Sequence, residues 1–265
     1  MKYKISEVSK ILNIPIDTIR FYEKIGIITP KKDEKTDYRF FDNWDINYLL
    51  EYRKYRQMDF SAEQIRQLIY QADHKTFLDL YSKQQQKIKK KAVYYHLLDQ
   101  KTSHDLERLK KLNFGFSVVS LPKRYCFFHR KNFEYFPSTF FHDIFDSWME
   151  SYALLDNTVM IRKQNLFSEK NHFEWGFSIG IKESNFLNLP VTEQVEILPS
   201  GLYVNVLIDA GERGNFSNEL LQPAFEFAKA NNYQINGDAF GKLLARFTDE
   251  KFHRYIDFFI PIEKK

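Results

Sequence analysis

Residues 17–22, with the sequence DTIRFY, place a guanidinium and two aromatic rings beside small polar side chains. An arginine can hold a phosphate group through two parallel hydrogen bonds, and a tyrosine hydroxyl can donate to the same kind of group. Phe21 and Tyr22 cannot both face the core of a helix that is buried on one side, so at least one must point outward. The segment therefore predicts contact with a nucleic acid. The predicted DNA-binding residues of this segment are Asp17, Thr18, Arg20, Phe21 and Tyr22.

Two short helices must position this segment. Ile5, Val8 and Leu12 recur at helical spacing and predict the first of them. The sequence NIP at 13–15 then breaks the chain and supplies a proline for the first turn of the second helix, which ends at Gly26. In a helix-turn-helix, the N-terminal end of the second helix enters the major groove and carries small polar and basic residues. The pattern therefore predicts a helix-turn-helix.

A polar loop between two short extended runs follows the second helix. The runs IIT and YRFF flank the loop sequence KKDEKTD at 31–37, which predicts a hairpin that forms the wing of a winged helix-turn-helix. The predicted DNA-binding residues of this wing are Lys31, Tyr38 and Arg39.

Two more helices are predicted after the wing. One begins at an Asp/Asn cap near Asp42 and Asn43. The other begins at Ser61, which is followed three residues later by Gln64, the spacing of a capping box.

The segment from Asp73 to Leu112 contains neither proline nor glycine and predicts one long helix. Apolar or small residues recur seven apart along it, a spacing typical of a coiled-coil seam that Lys91 and Asp105 interrupt. We expect this seam to pack against a second copy of the chain. The alternative is that the segment is a solitary charged linker helix. The seam residues are Ile88, Tyr95, Thr102 and Leu109, with Leu98 and Leu112 on the alternate positions.

After a break at NFGF, residues 113–116, the pattern changes to strands and helices and contains a short internal repeat. The stretches VVSLPKRYCFF, from Val118, and VEILPSGLYVNV, from Val195, both consist of an apolar run, a Leu-Pro pair, a turn and a second apolar run. Each is followed by a helical stretch and then by two strand-like runs. A β-α-β-β unit is therefore predicted to occur twice.

An acid stands on the apolar face of the last predicted strand, YIDFFIPI. Alternation along a strand puts Asp257 and Phe259 on one face, where a carboxylate is costly unless it is paired. A cationic ligand held partly by aromatic rings is one physical reason for it. The alternative is an internal partner such as a tyrosine, an arginine or a backbone group. The other candidate lining residues are Tyr152, Trp175, Phe177 and Tyr203, with Glu174 as a lesser acidic candidate.

Composition excludes several classes of site. The single cysteine, Cys126, rules out a disulfide framework or a cysteine-pair metal site, and His129, His142 and His172 are scattered, so we expect neither metal nor cofactor. No apolar run approaches the ~20 residues of a membrane span, and the first residues lack a signal-peptide pattern, so we expect a cytoplasmic protein.

Charge is distributed unevenly along the chain. Residues 71–113 carry 10 Lys and Arg against 5 Asp and Glu, whereas residues 114–265 carry 16 against 19. Residues 1–70 carry 13 against 11, so the front of the chain is basic and the back is acidic. The two parts are therefore expected to have different partners, with a polyanion for the basic front.

The N-terminal sequence resembles the DNA-binding domain of MerR-family transcription regulators. The resemblance lies in ISEVSKILNIPIDTIRFYEKIGIITP, DYRFF and FSAEQIRQLI, and it covers about residues 3–70. It departs from the family at Asp37, where a glycine is usual, and at Phe21, where a tyrosine is usual. The resemblance implies a homodimer joined by an antiparallel coiled coil, which bends and untwists promoter DNA so that RNA polymerase can use it.

The C-terminal half more weakly resembles GyrI-like effector-binding domains, which implies a small-molecule effector. The prediction is thus an α+β chain with a winged helix-turn-helix over 1–72, a dimerisation coiled-coil helix over 73–113 and a duplicated β-α-β-β effector-binding domain over 114–265. A drug-sequestering protein is one alternative function. A GyrI-like hydrolase is another, although the sequence lacks a Ser/His/Asp or Cys/His constellation.

Overall fold

The computed structural model describes residues 2–32, 38–137, 142–168, 172–212, 214 and 216–265. The chain divides into two compact units, Met1–Tyr95 and His96–Lys265, and the division falls inside one long helix. Asp37, at which the wing sequence departs from the family pattern, lies outside the described residues. None of the helices within the described ranges is both long and apolar enough to cross a membrane.

The N-terminal unit begins with two helices and a short antiparallel hairpin, in the predicted order. In the hairpin, Lys31 lies opposite Phe40 and Lys32 opposite Arg39. The bounds of its helices and strands are Ile5–Leu12 (α1), Ile16–Lys24 (α2), Lys31–Lys32 (β1), Arg39–Phe40 (β2), Asn43–Gln57 (α3), Ala62–Tyr70 (α4) and His74–Lys111 (α5), the last of which continues into the second unit.

Local side-chain bonds fix the starts of α3 and α4. The Oδ1 of Asp42 accepts from the backbone N–H of Trp44 at 2.8 Å. The capping box predicted at Ser61 is confirmed, because Ser61 Oγ accepts from the N–H of Gln64 at 3.2 Å and Gln64 Oε1 accepts from the N–H of Ser61 at 2.9 Å. These bonds satisfy N–H groups that the first turn of a helix leaves without a partner.

The first turns of α5 belong to the core of the N-terminal unit. Phe77, Leu80 and Tyr81 pack against that core, and the buried Gln84 donates to the carbonyl of Met58 at 2.7 Å. The compact unit extends to residue 95 for this reason. The apolar core of this unit is therefore shared by α1 to α4 and the first turns of α5.

The C-terminal unit is built around one antiparallel sheet, which has ten strands in the described residues. Its helices and strands before residue 190 are Ser117–Leu121 (β3), Arg124–Lys131 (β4), Glu134–Tyr135 (β5), His142–Met149 (α6), Asp156–Ile161 (β6), Glu174–Gly180 (β7) and Ile181–Leu187 (α7). Those after it are Val195–Leu198 (β8), Gly201–Asp209 (β9), Gln222–Ala230 (α8), Tyr233–Ile235 (β10), Ala239–Thr248 (β11) and Phe252–Lys264 (β12).

The strand order is the same in the two halves of this sheet. The path β3-β9-β12-β11-β6-β7-β4-β5 contains the triplets β9-β12-β11 and β4-β7-β6, which meet where β11 pairs with β6. In each half, a helix comes between the first strand of the triplet and the other two. The short strand β5 precedes the helix in one half, and the short strand β10 follows it in the other. This is the arrangement expected of a duplicated unit.

The two faces of the sheet differ in character. On the face that we call apolar, Phe258, Val159 and Trp175 belong to cores that include side chains of α8, and further along the same face Phe177 packs with α6. On the other face, which we call polar, Lys242 lies opposite Asp257 in the register, and arginine and lysine side chains from residues 96–111 of α5 reach it.

The first strand-like run of the first repeat is TVMIRKQNLF, residues 158–167, and only part of it forms a strand. β6 ends at Ile161, and residues 163–165 form a single 3₁₀ turn. The turn is fixed because the backbone N–H of Lys163 donates to Asp238 Oδ1 at 2.7 Å, while the Arg162 guanidinium contacts Glu174, Glu196 and Asp238.

Candidate functional site

The exposed side of α2 carries the predicted DNA-contacting residues. Ile19 is fully buried and anchors the helix, which leaves Asp17 and Arg20 exposed on its other side, with Thr18 half-buried. Arg20 Nη1 lies 3.2 Å from Asp17 Oδ1, and both side chains are mostly exposed. Such a surface pair contributes little to stability, so the Arg20 guanidinium can exchange it for another anion at little cost.

The two neighbouring aromatic residues of α2 differ in their exposure to solvent, as the helix geometry requires. Phe21 is 51% exposed, whereas Tyr22 is half-buried with its ring 4.5 Å from that of Tyr52. One ring therefore supports the core and the other is presented to solvent, beside Arg20. The backbone then leaves the helix through Gly26, whose φ of 72° is a conformation that glycine adopts readily.

The hairpin adds basic and aromatic side chains close to α2. Tyr38 is 75% exposed, and Lys31 and Arg39 are also exposed. Arg39 Nε lies 2.9 Å from Glu23 Oε1, which ties the hairpin to the end of α2. The structure therefore brings the predicted DNA-binding residues of helix and wing together on one unit. This cluster of exposed cationic and aromatic groups suits a phosphate backbone.

Comparison with protein families identifies this part of the chain. Residues 3–72 match the family model described as MerR HTH family regulatory protein. The N-terminal part of this chain is therefore similar to the helix-turn-helix region of MerR-family regulators, and we call residues 3–72 the MerR region. The MerR region contains α1 to α4, and with them each of the residues predicted to contact DNA.

Individual relatives match over the MerR region. The HTH-type transcriptional regulator HmrR of Sinorhizobium medicae is 37% identical over 65 residues, which cover 24% of this chain and 44% of that protein. The HTH-type transcriptional regulator CueR of Escherichia coli is 35% identical over 65 residues, covering 24% and 48%. The chain thus spans about half the length of these relatives.

A solved structure of an EcmrR–DNA complex in a polymerase assembly aligns over 99% of this chain and 100% of that chain, at 15% identity and a TM-score of 0.38. HiNmlR bound to promoter DNA aligns over 42% and 95%, at 23% identity and a TM-score of 0.34.

The predicted ligand-binding residues of the C-terminal unit do not converge on one place. Tyr203 and Phe259 pack together on the polar face of the sheet, the face that also carries Asp257. Trp175 and Phe177 lie on the apolar face, where Tyr152 contacts the ring of Phe177. Paired residues of neighbouring strands share a face, and the register through β6 and β11 puts Trp175 on the face of Phe258. The neighbours of Phe258 in β12, Asp257 and Phe259, point to the opposite face, which separates the two groups.

Asp257 has an internal partner. Its Oδ1 accepts from Arg108 Nη2 at 2.6 Å and from Asn205 Nδ2 at 2.8 Å, and its side chain is only 7% exposed. Arg108 Nη2 also donates to Asn205 Oδ1 at 3.0 Å. Of the two explanations for an acid on this strand, the geometry favours the internally paired one. Glu174, the lesser acidic candidate, is also paired, with Arg162 Nη2 at 2.5 Å.

We expect Asp257→Asn to lower the free energy of unfolding of the C-terminal unit by about 1.5–3 kcal/mol, the usual worth of a hydrogen bond to a charged group. The replacement removes the carboxylate that forms an ion pair with the Arg108 guanidinium. Urea denaturation measures the change, with the exposed Glu250→Gln as a control that removes one carboxylate from the surface. A stability equal to that of the control would mean that Asp257 is not structurally paired, and would restore the cationic-ligand explanation.

A larger ion cluster on the polar face was missed by sequence reasoning. Asp156 contacts Lys101 of α5, Arg124 Nη2 at 2.5 Å and Lys242 Nζ at 3.9 Å. Burial alone would raise the pKa of Asp156, but Lys242, Arg124 and Lys101 together lower it to about 2. The cluster ties residues 96–111 of α5 to the sheet. No local signal could have revealed it, since Lys101, Arg124 and Lys242 lie 55, 32 and 86 residues from Asp156 along the chain.

The single cysteine and His129 are both in buried surroundings that disfavour their charged forms. Cys126 is buried, and burial raises the pKa of its thiol to about 12, so the thiol is neutral at physiological pH. Burial, and then Arg130, lower the pKa of His129 to about 4. Across the described residues no group of three or more His, Cys, Asp or Glu side chains is placed to hold a metal ion.

Proposed function

We propose that this chain is a MerR-family transcriptional regulator that binds promoter DNA through its N-terminal unit and senses a small molecule through its C-terminal unit. The observation that carries the DNA-binding part is the match of residues 3–72 together with the exposed Arg20 and Phe21 on α2. The matched family consists of regulatory proteins rather than enzymes, which supports a non-enzymatic function. Promoter DNA and RNA polymerase are its proposed partners in the cytoplasm.

The proposed mechanism is control of DNA shape. A homodimer binds two half-sites, and effector binding changes the bend and twist of the spacer between the promoter elements, so that both face RNA polymerase. Deforming 20–30 base pairs costs of order 1–6 kcal/mol, a range that ligand binding can offset. Homodimerisation is proposed through α5, on which Ile88 and Tyr95 are 39% and 63% exposed in a single chain.

Selection of bound fragments from a genomic DNA library by the purified full-length chain tests this proposal. We expect the selected fragments to contain an inverted repeat, and footprinting to show two protected half-sites. Binding should also change the linking number of a closed DNA circle that carries the site. Recovery of fragments without a common sequence, at an affinity equal to that for random DNA, would refute promoter recognition.

We expect Arg20→Ala and Arg39→Ala to weaken binding about equally for all DNA sequences, because both are assigned to phosphates. Each residue occurs twice in a dimer, so each substitution should reduce the slope of log K against log salt by roughly 2. Fluorescence anisotropy at several salt concentrations measures the slope. Lys83→Ala, which removes an exposed α5 cation paired with Asp79, is the control. A changed base preference with an unchanged slope would instead assign that arginine to a base.

A further inference from the structure

A cavity on the apolar face of the C-terminal sheet is lined by three arginines. Its volume is about 510 Å³, within the range of sites for small organic ligands. Arg130, Arg246 and Arg254 come from β4, β11 and β12 and meet at this one place. The cavity lies wholly within the C-terminal unit.

The walls between these arginines are aromatic. Trp175 and Phe173 are at least nine-tenths buried, and Phe216 lies 5.3 Å from Phe173, edge to face. Phe216 also stacks on Phe258, with an interplanar angle of 12°. The Arg130 guanidinium lies 5.6 Å from the ring of Trp175, so charge and ring face the same space. Such walls suit a flat apolar group.

Two β-bulges bring arginines to this face. In β4 the register shifts between Phe128 and Arg130, so that Arg130 lies opposite Trp175 instead of continuing on the polar face with Phe128. In β11 the register shifts between Leu243 and Ala245, which places Arg246 opposite Arg254. Bulges re-aim side chains and are enriched beside functional sites. Regular strands would have sent both Arg130 and Arg246 to the opposite face.

The charge of this cavity is not balanced. No carboxylate lines it among the residues that the structure describes. Asp209, the acid near Arg254, is engaged by His253 Nδ1 at 2.6 Å and by the backbone N–H groups of Gly211 and Arg254. The guanidinium of Arg254 donates only to the carbonyls of Ala210 and Glu212 in the described part of the chain.

Like charges directly opposite each other across a sheet are destabilising. Burial, and then the charge of Arg246, lower the pKa of Arg254. The Nε atoms of Arg130 and Arg254 are buried without an acceptor among the described residues. An anion in the cavity would relieve both the repulsion and the missing hydrogen bonds.

We propose that this cavity binds an aromatic anion, a carboxylate or sulfonate on a flat ring system, and that Arg130 and Arg246 recognise its charge. The inference rests on the proposed function, since it names the effector class of the sensing unit. The proposed ligand is an anion, whereas Asp257 led us to expect a cation. Asp257 is instead paired internally with Arg108. The rings supply affinity, and the arginine pair supplies selectivity for an anion.

Three probes of one ring system test the charge preference. Isothermal titration of the full-length chain with 2-naphthoate, neutral 2-naphthamide and cationic 2-naphthylmethylammonium compares them at neutral pH. We expect naphthoate to bind about tenfold to a hundredfold more tightly than the cation, as for one charge-assisted contact. Equal affinities, tighter binding of the cation, or no binding of naphthoate would overturn the proposal.

Two arginine variants test which side chains bind the charged group of the ligand. Arg130→Gln and Arg246→Gln should each weaken naphthoate binding about tenfold. Arg254 is not replaced, because its guanidinium also donates to the backbone carbonyls of Ala210 and Glu212. Lys131→Gln is the matched control: it removes one cation from the same strand, at an exposed position outside the cavity. Its affinity should stay within about twofold of wild type. A loss as large in the control as in Arg130→Gln would overturn the site assignment.

Thermal unfolding of each variant shows whether it is folded, and anisotropy with a selected DNA fragment is measured on the same preparations. Anion binding without DNA binding would defeat the proposed function and leave the cavity assignment standing. DNA binding with no preference for the anion would overturn the cavity assignment and leave the proposed DNA-binding function standing.

Discussion

Asp156→Asn should lower the free energy of unfolding of the C-terminal unit by about 3–5 kcal/mol, the usual cost of removing one member of a buried ion cluster. The Asp156 side chain is 14% exposed and contacts Lys101, Arg124 and Lys242. Asparagine keeps the shape but removes the carboxylate that all three cations share, and among the described residues Lys101 keeps the more distant Asp105, at 3.6 Å. Burial already lowers the pKa of Lys242, and Asp156 is the main group that opposes this.

Urea denaturation followed by tryptophan fluorescence measures the effect. Trp44→Phe gives a suitable background, because Trp44 is 67% exposed in the N-terminal unit whereas the remaining tryptophans, Trp148 and Trp175, are buried in the C-terminal unit. The fluorescence then reports on one unit alone. Glu250→Gln, at an exposed position, removes the same charge and should change the free energy of unfolding by less than about 0.5 kcal/mol.

The effect of Asp156→Asn should depend on pH. The pKa of Asp156 is lowered to about 2 in the folded chain, below the ordinary value of 3.8, so the unfolded chain binds the proton first as pH falls. The stability that this carboxylate contributes is complete above about pH 5 and is lost as pH falls from about 4 to about 2. The difference between the wild-type and Asp156→Asn curves should shrink over that window. A difference that stays constant from pH 7 to pH 3 would show that the carboxylate's charge does not act as described.

Ile88→Glu should raise the dissociation constant of the homodimer by about a hundredfold or more. If α5 pairs with a second copy, each dimer loses two buried isoleucines, each worth about 1.5–3 kcal/mol, and gains two carboxylates in the seam. DNA affinity should fall with it, because one subunit reaches only one half-site. Analytical ultracentrifugation over a range of concentrations measures the dissociation constant directly.

A point substitution is a cleaner test than truncation. A fragment that ends near Asp73 should be monomeric on this account, but it would also lose Phe77, Leu80 and Tyr81 from the core of the N-terminal unit. Gln86→Glu is the control, since Gln86 is exposed and two residues along a helix points to the other side. If both variants remain dimers of wild-type strength, the dimer contact lies elsewhere or α5 is a solitary linker helix.

Sequence by itself predicted the features that depend on local interactions. The long helix expected from Asp73 to Leu112 is found at His74–Lys111, and the capping box at Ser61 is found as predicted. The exposure of one aromatic residue of α2 also followed from the sequence. In these cases the decisive contacts lie within one or two helical turns, so the spacing of residue types carries the information.

Only the tertiary structure decided which groups meet in the C-terminal unit. Arg108 and Asp257 are 149 residues apart, and nothing in either segment indicates the other. Trp175 and Asp257 both looked like pocket residues, yet strand register puts them on opposite faces. Arg130 reaches the aromatic cavity because a bulge adds one residue to β4. Strand pairing and bulges are set by contacts between distant segments, and a shift of one residue sends a side chain to the other face of a sheet.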